Sequence, residues 1–83
     1  MERKKYLELC REVAALEGGI ERIKNVPEAL QVGYSGNRYY PVAYELSYND
    51  DGTVRHTAVI HELGANAVFY VPLDKVEANE NQV

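Results

Sequence analysis

Between Glu2 and Glu17 the apolar residues Tyr6, Leu9, Cys10, Val13 and Leu16 recur at three- and four-residue steps. That spacing lines up one stripe of an α-helix and leaves its other faces to charge. Gly18-Gly19 is expected to close the helix, because a left-handed position after the last turn costs glycine nothing. Ile20 and Ile23 continue the step, which predicts a second short helical turn before Val26-Pro27.

After Pro27 the period changes to two. From Arg38 to Tyr48 the even positions are Tyr40, Val42, Tyr44, Leu46 and Tyr48, and the odd ones are Tyr39, Pro41, Ala43, Glu45 and Ser47. The even face is read as the buried one. Leu30, Val32 and Tyr34 follow the same parity upstream, and Val54, Ala58 and Ile60 follow it downstream. The predicted core is therefore Leu9, Cys10, Val13, Val42, Tyr44, Leu46, Ala58 and Ile60.

Parity also constrains the turns, since even residues must face even residues. Tyr34 is expected to pair with Arg38 across Ser35-Gly36-Asn37, and Asn49 with Thr53 across Asp50-Asp51-Gly52. Three-residue loops commonly end on a residue with positive φ, a role open to Asn37 in the first loop and Gly52 in the second. A last strand around Ala67 to Leu73 leaves either Val68 and Tyr70 or Phe69 and Val71 inward, with Phe69 and Val71 preferred. Pro72 ends it, Leu73 to Val76 form one helical turn, and Glu77 to Val83 lack apolar periodicity.

These elements predict one α+β domain over residues 1–76 with a frayed tail over 77–83. Its N-terminal amphipathic helix precedes a four-stranded antiparallel meander, either a bent sheet or a small SH3-like barrel. Eighty-three residues leave room for a single core. Seven tyrosines and no tryptophan mean that much of it is built from rings whose hydroxyls need partners.

One cysteine excludes an internal disulfide and suits a reducing compartment, so the cytoplasm is expected. The opening Met-Glu-Arg-Lys-Lys runs into a charged amphipathic stretch, so neither secretion nor membrane insertion is expected. The net charge is −4, with six basic and five acidic side chains in residues 1–24 against three and eight in residues 25–83. An acidic sheet half lacks the footprint that a phosphate backbone requires, so nucleic acid is not an expected partner.

Candidate chemistry is sparse. His56 and His61 lie five positions apart and project from opposite faces of a strand, so they do not share a metal ion, and His56 is read as a core histidine. His61-Glu62 lacks the second histidine of a zinc helix, since Ala65 stands there. Asn49-Asp50-Asp51-Gly52 is a turn rather than a calcium loop. Gly33-Tyr34-Ser35-Gly36 joins strands rather than the helices that a nucleic-acid clamp needs. Cys10 belongs to the apolar stripe and reads as a core thiol. Neither catalysis nor a cofactor is expected.

The odd face of the central hairpin carries a semi-apolar strip of Tyr39, Ala43, Val59 and Leu63 edged by Glu45, Arg55 and His61. Either the helix or a curling sheet covers it, or it is a partner surface. On the second reading the candidate partner-binding residues are Tyr39, Arg55, Val59 and His61, because tyrosine and arginine are enriched in binding hot spots. A nucleotide-binding alternative would use stacked tyrosines with Arg38 or Arg55. Open sheet edges add self-association between copies.

The stretches Tyr39-Tyr40-Pro41, Tyr44-Glu45-Leu46, His56-Thr57-Ala58, His61-Glu62-Leu63 and Ala65-Asn66 resemble small proteins of bacteriophages and mobile elements of Gram-positive bacteria. The resemblance spans residues 1–76. It implies only a class: small acidic phage proteins that often act by binding a host protein, including inhibitors of host defence nucleases. The function expected for this chain is a non-enzymatic protein-binding module that engages and inhibits a host defence or replication protein.

Overall fold

The computed structural model describes residues 1–16 and 26–79. An N-terminal helix, α1 (Arg3–Ala14), precedes a five-stranded antiparallel sheet of β1 (Val32–Tyr34), β2 (Asn37–Tyr48), β3 (Val54–Glu62), β4 (Val68–Pro72) and β5 (Glu77–Ala78). The sheet order is β4-β3-β2-β1-β5. Short 3₁₀ turns at Glu28–Leu30 and Leu73–Lys75 lead into β1 and β5. No helix among the described residues is long and apolar enough to cross a membrane.

The helical stripe behaves as its spacing predicts. Tyr6, Leu9 and Val13 are buried, while Cys10 and Leu16 are half-buried. The helix stops at Ala14, where the Ala15 N–H reaches back to the Arg11 and Glu12 carbonyls. Gly18-Gly19 and the short helical turn expected after them lie outside the described residues.

The main core gathers Tyr6 and Leu9 with Val32, Tyr39, Ala58, Ile60 and Val71 of the sheet, closed by Leu73 and Val76. A smaller cluster joins Val13, Val26 and Tyr40. Tyr39, Tyr40 and Pro41 are therefore buried in succession, which a strand covered on one face only would not allow. Tyr39 serves the first cluster and Tyr40 the second.

Three expectations require correction. Fraying does not begin at Glu77, because Glu77 and Ala78 pair with Gly33 and Val32 and add a fifth strand; residues 80–83 of the expected tail lie outside the described residues. The first hairpin loop has two residues rather than three, for Tyr34 pairs with Asn37. Ser35 and Gly36 both take positive φ, 52° and 84°, the conformation that a two-residue type I′ turn demands. A serine accepts there a left-handed backbone that disfavours most side chains, and parity arguments do not foresee that choice.

The third correction concerns register. Pro41 pairs with Ile60 and Ala43 with Val59, so Val42 is an extra residue, a β-bulge. Odd residues before it (Tyr39, Pro41) and even residues after it (Tyr44, Leu46) consequently face the same way. Val42, expected in the core, is exposed, and so is Leu46. The second turn follows the prediction: Asn49 N–H donates to the Thr53 carbonyl at 2.8 Å and Gly52 has φ 87°. In β4, Phe69 pairs with Ile60 and Val71 with Ala58, which sets both on the core side, as preferred.

Tyr6 ties the helix to the bulge. Its ring is fully buried, and its hydroxyl donates to the Val59 carbonyl at 2.6 Å while the Val42 backbone also contacts it. Burial pushes this phenol far above the ordinary tyrosine range, and the adjacent Cys10 thiol adds to the shift against the two backbone contacts. Burial likewise raises the Cys10 thiol, offset in part by Tyr6.

Candidate functional site

The strands of the central hairpin outrun their neighbours. β1 reaches along β2 only as far as Tyr39, and β4 reaches along β3 only as far as Thr57. Beyond those points Glu45–Tyr48 and Val54–His56 form a two-stranded arm with no third strand among the described residues. A lone ribbon is marginal in water, so its closing turn matters. There Asp51 Oδ1 accepts from the Thr53 N–H at 3.0 Å and from the Thr53 hydroxyl at 2.6 Å. Those two donors hold the Asp51 carboxyl below the usual carboxylate range. Asn49 Nδ2 donates to Thr53 Oγ1 at 2.8 Å, and Arg55 donates to Asn49 Oδ1 at 3.1 Å.

One face of the arm continues the core face of the sheet. At its base Tyr44 is half-buried, its hydroxyl 2.5 Å from His56 Nδ1, with the two rings stacked at 5.9 Å. The Arg3 guanidinium sits 5.3 Å from the centre of the Tyr44 ring, within the range of a cation–π contact. Further out the helix no longer covers the face. Leu46, Tyr48 and Val54 stand 44%, 71% and 43% exposed, with Tyr48 directly opposite Val54. His56, expected in the core, is also exposed there, because the arm carries it past the end of the helix.

The four residues singled out from the sequence do not converge. Tyr39 is only 7% exposed and sits on the core face, edge-on to Tyr34 and Phe69 at 6.4 and 5.6 Å. Arg55, Val59 and His61 share the opposite face, but Val59 is 5% exposed. His61 is half-buried, stacked at 4.8 Å on Tyr40, with Nδ1 donating to the Glu62 carbonyl at 2.9 Å. The bulge separates Tyr39 from the others. Ala43 lies opposite Val59 and Glu45 opposite Thr57 as expected, yet Tyr39 meets Glu62 rather than Leu63.

The arginines of the nucleotide alternative are engaged separately. Arg38 forms a 2.6 Å ion pair with Glu28, and Arg55 is held by Asn49 in the arm turn. Among the described residues no group of three or more His, Cys, Asp and Glu side chains is placed to hold a metal ion.

The sequence reading missed the outer arm, having assigned Leu46 to the core. The available signal was length: twelve residues in β2 against three in β1. Comparison of the chain with family models, curated proteins and solved structures finds no match in any of the three.

Proposed function

We propose that the protein is a non-enzymatic protein-binding module whose contact surface is the core-side face of the β2–β3 arm. The observation that carries this reading is the row Leu46, Tyr48 and Val54, apolar and uncovered on a ribbon whose turn is fixed by four hydrogen bonds. Adjacent exposed apolar side chains of this kind favour a protein partner. Tyr44, His56 and Arg3 supply polar and cationic groups at the base of the patch, where hot spots favour tyrosine and arginine. The resemblance to phage and mobile-element proteins directs the partner to a host protein of a defence or replication system.

The sheet that presents the arm is best described as a small open barrel of the SH3-like kind. β4 and β5 occupy opposite edges, yet only Leu73–Val76 connects them. In a flat five-stranded sheet those edges stand about 19 Å apart. The link spans only about 13 Å with three of its residues in a 3₁₀ turn, so strong curling accounts for the connection. The Val42 bulge supplies a bend in β2, the strand common to both halves.

The test is capture of a partner from a Gram-positive bacterial lysate, followed by titration of the purified partner. The wild type is expected to retain a discrete set of proteins and to bind one of them in a saturable titration. Tyr48→Asp is expected to weaken that binding at least tenfold, about 1.4 kcal/mol, while Glu45→Gln on the opposite face leaves it unchanged. Equal binding by wild type and Tyr48→Asp would remove the arm as the site.

A further inference from the structure

The edge strand β4 ends beside the base of the arm, at Pro72 opposite Thr57, and has its own unused surface. Among the described residues it pairs only with β3. The Glu62 N–H donates to the Ala67 carbonyl at 2.9 Å, and antiparallel pairing alternates from that anchor. Ala67, Phe69 and Val71 therefore direct their backbone groups to β3, while Val68, Tyr70 and Pro72 direct theirs outward. Pro72 has no N–H to leave unpaired, the usual reason a proline is tolerated on an edge.

Among the described residues the devices that normally keep such an edge single are otherwise missing. No charged residue occurs between Glu62 and Asp74. Val68, Phe69 and Tyr70 are 45%, 42% and 65% exposed. Natural edges are usually blunted by lysine, inward charge or a covering element.

We infer that β4 is the self-association edge of this protein, pairing antiparallel with β4 of a second copy about a two-fold axis. The strand is complementary to itself. With Tyr70 opposite its counterpart, each Tyr70 N–H meets the other Tyr70 carbonyl and each Val68 N–H meets the other Pro72 carbonyl. Phe69 then lies opposite Val71 on one face, an aromatic against a β-branched side chain, a favourable cross-strand pair. The missing N–H of Pro72 leaves only the Val68 carbonyl to water.

Charge is compatible with a second copy at this place. The chain carries net −4, and because no charged residue lies between Glu62 and Asp74, two copies meet along this strand without setting like charge against like. Two aromatics and a valine, each about half exposed, contribute a few hundred Å² per copy, at the low end of specific interfaces. The dimer is accordingly reversible and concentration-dependent.

Sedimentation equilibrium across a wide concentration range, with residue-resolved amide exchange at both ends of it, tests the inference. The mass is expected to rise from 9.4 kDa towards twice that value. Exchange at Val68 and Tyr70 should slow in proportion to the dimer fraction, while Phe69 and Val71 stay protected throughout. Tyr70→Lys should fold normally and remain monomeric. A mass fixed at the monomer value overturns the inference. So does a dimer that survives Tyr70→Lys, or exchange at Val68 and Tyr70 that ignores concentration. Partner capture through the arm is read separately, so either result stands without the other.

Discussion

Tyr6 shows how one side chain sets the geometry of the molecule. An extra residue in β2 disturbs the ladder, and a buried backbone group without a partner costs about 1–3 kcal/mol. The Tyr6 hydroxyl meets that need at the bulge by donating to Val59 and contacting the Val42 backbone. Tyr6→Phe keeps the ring and removes the hydroxyl, and is expected to destabilise by about 1–3 kcal/mol in denaturant unfolding. Its pH dependence has a definite sign. Burial raises the Tyr6 pKa in the folded state above its unfolded value of about 10. The stability tied to the neutral phenol is therefore complete below pH about 10 and falls as pH rises beyond it, because the unfolded chain releases the proton more readily. Cys10, also raised by burial, adds a loss that begins somewhat lower, near the ordinary thiol pKa of about 8.5. Melting curves from pH 7 to 11 should fall more steeply for the wild type than for Tyr6→Phe. Parallel curves, with equal stability at pH 7, would show that the hydroxyl is idle.

Among the elements, β5 joins the last described segment to β1 through Val32–Ala78 and Gly33–Glu77. A chain ending at Val76 loses this strand and is expected to be less stable than one ending at Asn79 by about 1–2 kcal/mol, the net worth of one or two backbone hydrogen bonds. Thermal melting compares them, and equal midpoints would mean that β5 contributes nothing. Two residues are too few to show a period, which is why β5 was not legible. The helix was legible because its stripe repeats through Tyr6, Leu9 and Val13, and the arm turn because Gly52 meets a stated conformational demand. The first turn was not, since Ser35 takes a positive φ that its residue type does not advertise. The bulge escaped for a related reason: Val42 fits an unbroken even-numbered pattern, and only pairing with β3 exposes it as extra. One unseen residue there moved Tyr39 into the core and dispersed the predicted site. Leu46 kept its core-side face but lost its cover, because periodicity reports which way a side chain points and not how far the neighbouring element extends.

At the scale of the whole molecule, a small core is centred on Tyr6 and Ile60 while the central hairpin projects beyond it. Folded domains of this size hold only about 5–10 kcal/mol of net stability, so a single charged substitution separates covered positions from open ones. Val59 and Leu46 form the informative pair, the first buried behind the bulge and the second exposed on the arm. The most direct test is the thermal midpoint of Val59→Glu and Leu46→Glu beside the wild type, with partner binding measured on whatever folds. Val59→Glu buries an unpaired carboxylate, costing several kcal/mol, and is expected to leave little folded protein at 37 °C. Leu46→Glu should cost about 1 kcal/mol or less, keep its midpoint within about 5 °C of the wild type, and lose the partner. A Leu46→Glu variant that unfolds as readily as Val59→Glu, or one that folds and binds as the wild type does, would contradict the account.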